Sequence, residues 1–510
     1  MKLSELMHGV AVKTWGCEPD LEVSQITSDS RQVLRGGMFI CIRGTRCDGH
    51  DFIADAVSRG AAVIVAEREM PLCESVPFVT VENSRLAEAH VWNNMYARPA
   101  EGMQTVAVTG TNGKTSTVFM LKSIFERAGR KVGVITTVKC MADGETIGTF
   151  GGSSVSDIHG AMTTPDPEYL YGAIYLMKCR GVDTLILEAS SHALAQFKID
   201  PIRVDVAVFT NLSEEHLDFH GDMENYFAAK ARLATLAERL VVNADDAYMS
   251  RLIHAARDKV TTCSAKSSPS VRVSADVTAL RQISLGMNGI EYIYFSRRAV
   301  FRLTSKIPGA FTVYNTLLAS AAGIAAGVDA ICVKEGVSSL EAVDGRLERV
   351  DTGTDTPFSV YIDYAHTPDA LEKLLLTVRD VRGEGERICV LFGCGGDRDP
   401  YKRRKMGAVA SRLADMVIVT ADNSRSEDTS AIIRQIMTGV DREKPHAVIP
   451  DRREAIDFAV RTAQAGDIIL LVGKGHEKYE ITSDGVLPFD EKEIVKYSVQ
   501  KYRTKTDFNK

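Results

Sequence analysis

The fold of the central part of this chain is decided by one stretch, Thr109-Gly110-Thr111-Asn112-Gly113-Lys114-Thr115. A β-branched run at 105–108 precedes it, and the apolar positions 118, 121, 124 and 125 that follow have helical spacing. The pattern therefore predicts a strand, a glycine-rich turn and the start of a helix. Backbone N–H groups and the positive end of a helix dipole would converge there, so the stretch predicts an anion site, with a nucleotide polyphosphate as the anion.

The stretch matches the phosphate-loop pattern G-x-x-x-x-G-K-[ST] incompletely. Val108 stands where the first glycine is expected, and Gly110 takes over part of its role. Lys114 supplies a positive point charge, and the hydroxyl of Thr115 can bind Mg²⁺. The alternative is an ordinary glycine turn before a helix. The order of strand, Gly-Lys-Thr and helix favours the phosphate loop.

Composition limits the class of protein. The chain has 510 residues, so we expect about two to four domains. The net charge of −6 with no basic block argues against nucleic acid as a partner. Ten cysteines are scattered without a C-x-x-C pair, which is typical of reduced thiols and not of a disulfide or zinc framework. No signal-peptide pattern or membrane-spanning run is present, so we expect a soluble intracellular protein without membrane insertion.

The fold class predicted from the pattern is α/β with three domains, at residues 1–100, 101–337 and 338–510. In the first, buried-strand patterns lie in 33–42 and 61–65 around a helix at 52–58, and 98–102 reads as a linker. Apolar strand-like runs alternate with helical ones in the second domain, which predicts a parallel sheet covered by helices. The runs that we assign to strands of the second domain are 132–138, 184–187, 204–210 and 240–243, with antiparallel strands in 265–303 and a small-residue helix at 319–327. The strands predicted for the third are 360–363, 388–392, 416–420 and 468–472.

Glu188 ends one of these strands, next to the predicted phosphate loop. A carboxylate at the carboxyl end of a parallel strand is where a Mg²⁺ ligand is expected. The alternative is a solvated acid at a strand end, and the following Ala189-Ser190-Ser191-His192 favours a site.

The next strand runs into a loop at 211–221 that holds two histidines and three acids. Imidazole and carboxylate groups suit a second divalent ion or phosphate contacts. Taken alone, His216 would be a hydrogen-bonded loop histidine. Its position beside two other candidate phosphate loops favours a functional role.

Lys230 lies at the edge of a helical apolar stripe that includes Tyr226 and Leu233. The simplest interpretation is a snorkelling lysine. Near Mg²⁺, a free ammonium is unfavourable, because two unit charges about 4 Å apart repel by about 4 kcal/mol at an effective dielectric of about 20, and a divalent ion roughly doubles this. Lys230 should therefore contact a phosphate or be converted by CO₂ to a carbamate, which is an anion and a Mg²⁺ ligand.

Polar or glycine-rich loops follow four successive strands of the third domain, at 363–369, 393–399, 422–425 and 473–477. One such loop would be an ordinary turn. Four at one edge of a parallel sheet predict a single pocket with both charge signs. Arginine binds carboxylates and acids bind amines, so the pocket suits an amino-acid zwitterion.

These motifs together resemble the Mur ligases over the whole chain, and most closely the branch that adds the third residue of the peptidoglycan stem peptide. The motifs that carry the resemblance are 27–31, 43–49, 109–115, 163–165, 188–192, 210–221 with Tyr226 and Lys230, 314–315, 345–346, 363–368, 393–399, 422–425 and 473–477. The resemblance implies a UDP-binding first domain, an ATPase second domain and an amino-acid-binding, Rossmann-like third domain.

The resemblance also implies a reaction. The D-Glu carboxylate of UDP-MurNAc-L-Ala-D-Glu would attack the γ-phosphate of ATP, and an amino acid would displace phosphate from the resulting acyl phosphate. Lys114, Glu188, His216 and Lys230 would be catalytic, and Thr115, Glu188, His216 and Lys230 as N6-carboxylysine would hold Mg²⁺. The implied ATP-binding residues are Gly110, Thr111, Asn112, Gly113, Lys114, Thr115, Ser116, Asn315, Arg346 and Asp363. Those for the UDP-muramyl peptide are Ser28, Ser30, Thr45, Arg46, Cys47, Thr163, Thr164, Ser190, Gln196 and Lys198, and those for the amino acid are Arg398, Asp422, Asn423, Ser424, Arg425, Gly473 and Glu477.

Three positions depart from the family pattern. Lys198 stands for the usual arginine and loses its bidentate fork, and Glu215 stands for aspartate. In Asp422-Asn423-Ser424-Arg425, serine replaces the usual proline, whose fixed φ would help to hold Arg425 in place. Lysine-adding members lack this arginine, which can pair with the second carboxylate of meso-diaminopimelate. The resemblance therefore predicts meso-diaminopimelate, with L-lysine or another diamino acid as the alternative.

Two other functions are open. The first is a sibling amide ligase, such as the next Mur enzyme or folylpolyglutamate synthetase, against which Ser28 to Arg31 and Asp422 to Arg425 argue. The second is a nucleotide-binding regulatory protein, and the predicted amino-acid pocket argues against it because such a protein does not need one. We expect a monomer that acts on small molecules in the cytoplasm.

Overall fold

The computed structural model of this protein describes residues 1–44, 47–68, 76–147, 149–150, 153–154, 163–266 and 275–506. These residues form two compact units, one of Met1–Cys263 with Leu318–Val333 and one of Ser264–Leu317 with Lys334–Lys510. Both units contain strands and helices, which confirms the α/β class. Within the described ranges, no helix has the length and apolar character that crossing a bilayer requires.

The first hundred residues contain a small sheet that is parallel except for its first strand. Its spatial order is Val12–Trp15, Phe78–Val81, Val63–Ala66, Gly37–Ile40 and Gln25–Thr27. Helices Leu3–Leu6, Ile53–Ser58 and Ser84–Met95 and the 3₁₀ turns Ser30–Gln32 and Gly49–Phe52 accompany it. The predicted strands within 33–42 and 61–65 and the helix near 52–58 are confirmed. The other strands, three or four residues each, were too short to be recognised from periodicity.

A larger sheet in the same unit carries the phosphate loop. Its spatial order is Val260–Ser264, Ala237–Asn243, Val204–Phe209, Gln104–Thr109, Thr184–Glu188, Val132–Ile135, Cys140–Ala142 and Glu145–Thr146. The first six strands are parallel and the last two turn back as antiparallel strands. The phosphate-loop strand Gln104–Thr109 therefore lies between Thr184–Glu188 and Val204–Phe209, and the carboxyl ends of all three meet at one edge.

The helices of this region are Lys114–Arg127, Pro167–Cys179, Ser191–Ala195, Leu217–His220, Met223–Ala231, Leu233–Leu236 and Met249–Ala255, with a 3₁₀ turn at Arg257–Lys259 and a two-residue hairpin of Thr149–Phe150 with Ser153–Ser154. One predicted strand is shorter than expected. The run from 132 ends at Ile135, because the N–H of Thr136 donates to the carbonyl of Lys139 at 3.0 Å and closes a turn.

The second unit begins with antiparallel strands Val277–Ser284, Ile290–Ser296 and Val300–Ser305, as predicted for 265–303, with a 3₁₀ turn at Gly286–Asn288. Helices Ala310–Ala325 and Ala330–Ser339 follow along the chain, and their residues within Leu318–Val333 belong to the first unit. The first of these begins nine residues before the predicted start at Ala319. Its early positions carry Phe311, Thr312 and Val313. Aromatic and β-branched residues have low helix propensity, so the sequence does not predict a helix there.

The carboxyl-terminal sheet has the spatial order Glu348–Arg349, Ser359–Asp363, Ile468–Val472, Ile388–Phe392, Met416–Val419 and His446–Val448. It is parallel except for its first strand. Its helices are Pro368–Val381, Tyr401–Leu413, Thr429–Met437, Arg452–Thr462 and Glu491–Thr506, with a hairpin of Tyr479–Thr482 and Gly485–Pro488. All four predicted strands are confirmed.

Both faces of this sheet are apolar. In Ile468–Val472, the side chains of Ile468, Leu470 and Val472 join one hydrophobic cluster, and those of Ile469 and Leu471 join another. Such a strand reads as a continuous apolar run because helices cover both faces. Polar side chains are therefore confined to the strand ends, where the four predicted loops lie.

Candidate active site

The phosphate loop leaves its strand at Thr109 and enters its helix at Lys114. Gly110 has a φ of 146° and Gly113 has a φ of 83°. A Cβ on Gly110 would lie 1.9 Å from Oγ1 of Thr210. Glycine is therefore required at 110, because the neighbouring loop approaches it closely. In this respect Gly110 takes the place of the glycine that the phosphate-loop pattern has at 108.

The loop after Val204–Phe209 braces the phosphate loop. The N–H of Thr111 donates to the Asn211 carbonyl at 2.8 Å, and the N–H of Asn112 donates to Asn211 Oδ1 at 3.0 Å. In return, Thr210 Oγ1 and Asn211 Nδ2 donate to the Asn112 carbonyl at 2.7 and 3.0 Å. Two loop N–H groups are thus occupied by the brace, and anion binding falls to the others at the helix start. The predicted site residues do not include Thr210 and Asn211, although both directly follow the strand beside the phosphate loop.

Two lysine side chains meet at the same carbonyl of the phosphate loop. Lys114 Nζ donates to the carbonyls of Gly110 and Thr111 at 3.0 and 2.8 Å. Lys230 Nζ donates to the Gly110 carbonyl at 2.7 Å and lies 4.7 Å from the centre of the Tyr226 ring. Lys230 is only 2% exposed, so the interpretation as a snorkelling lysine is wrong. Burial, and after it the charge of Lys114, hold the pKa of Lys230 well below its usual range.

Glu188 is fully buried at the end of its strand. Its two carboxylate oxygens lie 3.4 Å from the backbone N and from Oγ1 of Thr137, which are long contacts that bind the carboxylate weakly. Its backbone carbonyl accepts a 2.8 Å hydrogen bond from Thr164 Oγ1. A buried acid with such weak partners is suited to an added cation, and Thr137 is a neighbour that we did not predict.

His216 lies at the start of the short helix Leu217–His220 with a φ of 57°. Its ring centre is 4.8 Å from that of His192, and its Nε2 is 3.8 Å from Glu215 Oε2. Burial is the main cause that lowers the pKa of His216, and Lys114 and Lys230 lower it further. The imidazole is therefore held in its neutral, ligating form.

Thr164 and Ser190 are hydrogen-bonded to each other beside the Glu188 strand. The N–H of Ser190 donates to Thr164 Oγ1 at 3.2 Å, and Ser190 Oγ accepts from the N–H of Ala193 as the N-cap of Ser191–Ala195. Thr163 precedes this pair and is half-buried, and Gln196 ends the helix. Lys198 is 4% exposed, and its Nζ lies 2.7 Å from Asp166 Oδ1.

Ser28, Ser30 and Cys47 lie in the amino-terminal α/β region, where Ser30 is buried and the other two are exposed. Thr45 and Arg46 lie outside the described residues. The hydroxyl of Ser28 is hydrogen-bonded to Glu88, and burial raises the pKa of Glu88 to about 7. Asp166 and Lys198 also act on this pKa, so Glu88 lies between two groups of predicted substrate ligands. The sequence offered no signal for Glu88 beyond an acid on a helix.

The remaining predicted ATP residues belong to the second unit. The guanidinium of Arg346 lies 4.9 Å from the Tyr364 ring centre, and its charge lowers the pKa of Asp363 against the larger effect of burial, which raises it. Asp363 accepts from the N–H groups of Leu347 and Ala365 at 2.7 and 2.8 Å. Nδ2 of Asn315, a residue 3% exposed, has no hydrogen-bond partner within the described ranges. That buried donor remains available to a ligand.

The predicted amino-acid residues are brought together at the carboxyl edge of the third sheet. Asp422, Asn423 and Ser424 are each less than 10% exposed. Asn423 Nδ2 donates to Glu477 Oε2 at 2.7 Å. Burial and then Asp422 raise the pKa of Glu477 to about 7. A Cβ on Gly473 would lie 3.2 Å from Asp422 Oδ2, so this glycine allows the two loops to approach.

Arg425 and Arg398 flank Gly395, whose Cβ would lie 2.9 Å from Arg425 Nη1 and 3.7 Å from Arg398 Cγ. Arg425 Nη1 donates to the carbonyls of Gly396 and Asn423 at 2.9 and 3.4 Å. Across the described part of the chain, its Nε and Nη2 make no hydrogen bond, so that edge of the guanidinium remains for a ligand. Arg398 is exposed.

The Arg425 loop is fixed without a proline at 424. Arg425 has a φ of 52°, and its N–H donates to the Ile481 carbonyl at 3.0 Å. The carboxylate of Asp397 accepts from Oγ and from the N–H of Ser426 at 2.7 and 3.1 Å. Arg403, which is 1% exposed, donates to both oxygens of Glu427 at 2.8 Å. Tertiary contacts thus hold the loop that we expected proline to stiffen.

Comparisons with known proteins agree along the whole chain. Residues 22–107 match the model described as "Mur ligase family, catalytic domain", 108–323 match "Mur ligase middle domain" and 345–475 match "Mur ligase, glutamate ligase domain". A UDP-N-acetylmuramoyl-L-alanyl-D-glutamate–2,6-diaminopimelate ligase of Caldanaerobacter subterraneus subsp. tengcongensis is 39% identical over 498 residues, which are 97% of this chain and 98% of that protein. The chain belongs to the Mur ligase family. It is an ATP-dependent ligase that forms a C–N bond.

Solved structures of Mur ligases share its fold. One described as a UDP-N-acetylmuramoyl-L-alanyl-D-glutamate–2,6-diaminopimelate ligase is 28% identical, covers 99% of each chain and superposes with a TM-score of 0.68. A MurF ligase from Thermotoga maritima in complex with ADP is 18% identical, covers 96% of this chain and all of its own, and gives a TM-score of 0.57. This Mur ligase therefore has the family architecture in all three of its domains.

Proposed function

We propose that this Mur ligase joins one amino group of meso-diaminopimelate to the D-Glu carboxylate of UDP-MurNAc-L-Ala-D-Glu, in the synthesis of peptidoglycan precursors. The carboxylate attacks the γ-phosphorus of ATP, the bond to the β–γ bridging oxygen breaks, and ADP leaves an acyl phosphate. The amine then attacks the acyl carbon, inorganic phosphate leaves and a proton is lost from nitrogen. The name of the relative with 39% identity supports this substrate pair.

The observation that carries the amino-acid assignment is the free edge of the Arg425 guanidinium. Its Nη1 is used within the loop, while Nε and Nη2 can form a bidentate pair with a carboxylate. The charge of Arg425 also acts on the pKa of Glu477, and Glu477 would bind the ammonium of the same ligand. A carboxylate beside an ammonium is the distal end of meso-diaminopimelate, whereas lysine has the ammonium alone. Arg398, Asp422, Asn423, Ser424 and Gly473 would complete this pocket.

The nucleotide end of the reaction follows from the phosphate loop. The N–H groups at its helix start and the Lys114 ammonium would neutralise the β- and γ-phosphates, with Gly110, Thr111, Asn112, Gly113, Thr115 and Ser116 forming the loop. Asn315, Arg346 and Asp363 would hold the adenosine part. Positioning and charge neutralisation are the main needs of phosphoryl transfer.

The donor set fits Mg²⁺ only in combination with substrate oxygens. Among the described residues, no three His, Cys, Asp or Glu side chains come together as a metal site. Mg²⁺ commonly binds one or two protein groups and completes its shell with phosphate and water oxygens. Thr115, Glu188 and His216 would hold it here, with Lys230 after carbamylation. When bound, the ion would neutralise charge on the transferred phosphoryl group.

We further propose that Lys230 is carbamylated. Its nitrogen would attack the carbon of CO₂ and lose a proton, which leaves an N6-carboxylate. As a free amine, Lys230 is buried against the same carbonyl that Lys114 contacts, which places two basic groups side by side. The carbamate would place a negative charge beside the Lys114 ammonium, so that attraction takes the place of this crowding.

The muramyl-peptide residues would lie in two groups. Ser28, Ser30, Thr45, Arg46 and Cys47 would bind the uridine diphosphate, and Thr163, Thr164, Ser190, Gln196 and Lys198 would bind the sugar and peptide. Lys198, whose Nζ lies 2.7 Å from Asp166 Oδ1, stands where the family has arginine. We also propose that the chain acts as a monomer in the cytoplasm.

The decisive experiment measures ADP formation with ATP, Mg²⁺ and UDP-MurNAc-L-Ala-D-Glu, with and without meso-diaminopimelate and with lysine in its place. We expect ADP formation to require meso-diaminopimelate. Arg425→Ala should abolish the ADP formation that depends on diaminopimelate. Arg442→Ala, a change at an exposed arginine of the same domain, should have no effect. ADP formation that is the same with and without the amino acid would overturn the assignment.

A further inference from the structure

Lys474 is a fully buried lysine that the function described above does not use. Its Nζ donates to Asn423 Oδ1 at 2.9 Å and to the Tyr479 carbonyl at 3.0 Å. Asp422 Oδ1 lies 3.6 Å from the same nitrogen, and the Phe489 ring centre lies 5.4 Å away. An ammonium so deeply buried has to be paired, and each of these contacts fixes its position.

The amide of Asn423 has one orientation because of this lysine. Its Oδ1 accepts from Lys474 Nζ and from the N–H of Ile481 at 3.0 Å, and both of these groups can only donate. The other amide atom must then be the NH₂ group, which donates to Glu477 Oε2 at 2.7 Å. A flipped amide would bring two donors against Nδ2 and an oxygen against the Glu477 carboxyl.

We propose that Lys474 is a positioning residue for amino-acid selection, because it locks the Asn423 amide and through it the Glu477 carboxyl. The inference rests on the proposed function, in which Asn423 and Glu477 bind the amino acid. The carboxylate oxygen of Glu477 that Asn423 does not hold is presented to the ligand ammonium at one fixed point. Lys474 itself is covered and touches no substrate.

The charges around Glu477 connect Lys474 to the pH dependence of binding. Burial and then Asp422 raise the pKa of Glu477, while Asn423, Lys474 and Arg425 lower it. The phenols of Tyr364 and Tyr479 lie close enough for the charge of Glu477 to affect their pKa values. Removal of the Lys474 charge therefore raises the pKa of Glu477 above its value of about 7. A larger fraction of Glu477 is then neutral at pH 7 and cannot pair with an ammonium.

The test compares Lys474→Met with Lys478→Met, a change at an exposed lysine four residues away that pairs with Asp490. Steady-state constants are measured for all three substrates from pH 6 to pH 9. For Lys474→Met we expect KM for diaminopimelate to rise about tenfold or more, the rise of kcat/KM with pH to shift to higher pH, and the KM values for ATP and the UDP substrate to stay within about twofold. Lys478→Met should match the parent.

Asn423→Asp provides a second variant, in which the side chain at 423 keeps its shape. It retains an acceptor for Lys474 but places an oxygen against Glu477, so KM for diaminopimelate should rise while the melting temperature changes little. Parallel rises in all three KM values for Lys474→Met, or unchanged KM in both variants, would show a purely structural lysine. If the parent itself forms no ADP in response to diaminopimelate, the proposed function has failed instead.

Discussion

Lys230 Nζ and the carbonyl oxygen of Gly110 are 2.7 Å apart, so a buried amine on the helix Met223–Ala231 contacts the phosphate loop 120 residues away in sequence. The same carbonyl accepts from Lys114 at 3.0 Å. The relationship joins the predicted anion site to the buried lysine for which we propose carbamylation. It explains why substitution at 230 should affect phosphoryl transfer and not the fold alone.

Lys230→Arg should lower kcat by about 10²- to 10³-fold, because arginine keeps a positive charge and cannot form a carbamate. The measurement is ADP formation in CO₂-free buffer and after addition of bicarbonate. The parent should gain activity with bicarbonate and the variant should not. Lys131→Arg, at a half-exposed side chain of the same unit, serves as the control. Full activity of Lys230→Arg without bicarbonate would contradict carbamylation.

Gly110→Ala should abolish ATP-dependent activity, because its Cβ would lie 1.9 Å from Thr210 Oγ1 and force the two loops apart. Gly144→Ala is the matched control. Gly144 also has a positive φ, 84°, but a Cβ there meets nothing within 4 Å. We expect this control to lose about 1 kcal/mol of stability and to retain activity. The measurements are ADP formation and unfolding by urea. Equal effects of the two changes would show that conformational strain, and not the brace, makes Gly110 necessary.

Ser426→Ala should raise KM for diaminopimelate by about five- to tenfold with little change in KM for ATP. The variant loses the 2.7 Å hydrogen bond to Asp397, whose pKa the Ser426 hydrogen bonds lower, and Arg425 lies one residue before it. Ser430→Ala, at an exposed position of the following helix, is the control. The measurement is the KM of the parent and of both variants for each of the three substrates. An unchanged KM for diaminopimelate would mean that the other contacts suffice to hold Arg425.

Glu88→Gln should change how stability depends on pH. The pKa of Glu88 is raised to about 7 in the folded chain, so between its ordinary pKa and about 7 the folded state holds a proton that the unfolded state has lost. Glu88 therefore lowers the free energy of unfolding as the pH rises from its ordinary pKa to about 7. Above that pH its effect stays constant. The variant should equal the parent at pH 4 and exceed it by about 3 kcal/mol at pH 8. Urea unfolding at both pH values, with Glu82→Gln as an exposed control, measures the difference. A variant no more stable at pH 8 would mean that Glu88 is ionised.

Local pattern was sufficient for most of the fold. Runs such as Ile468–Val472 are apolar on both faces because helices cover the sheet on both sides, and that burial is visible in the sequence. Short strands such as Gln25–Thr27 carry too few residues for a period to be recognised. The helix Ala310–Ala325 was predicted only in its small-residue second half, because packing overrides the weak preference of its first residues.

By itself, the sequence determined the phosphate loop, the strand-end motifs and the order in which they follow one another, because each is a local run of residues. Only the tertiary structure decided which groups these motifs meet. Asn211 occupies two N–H groups of the loop, Lys230 reaches the Gly110 carbonyl, and Lys474 orients the amide of Asn423. Each of these contacts joins residues about 50 to 120 positions apart. Strand order in the parallel sheets creates them, and no local pattern records which strands become neighbours.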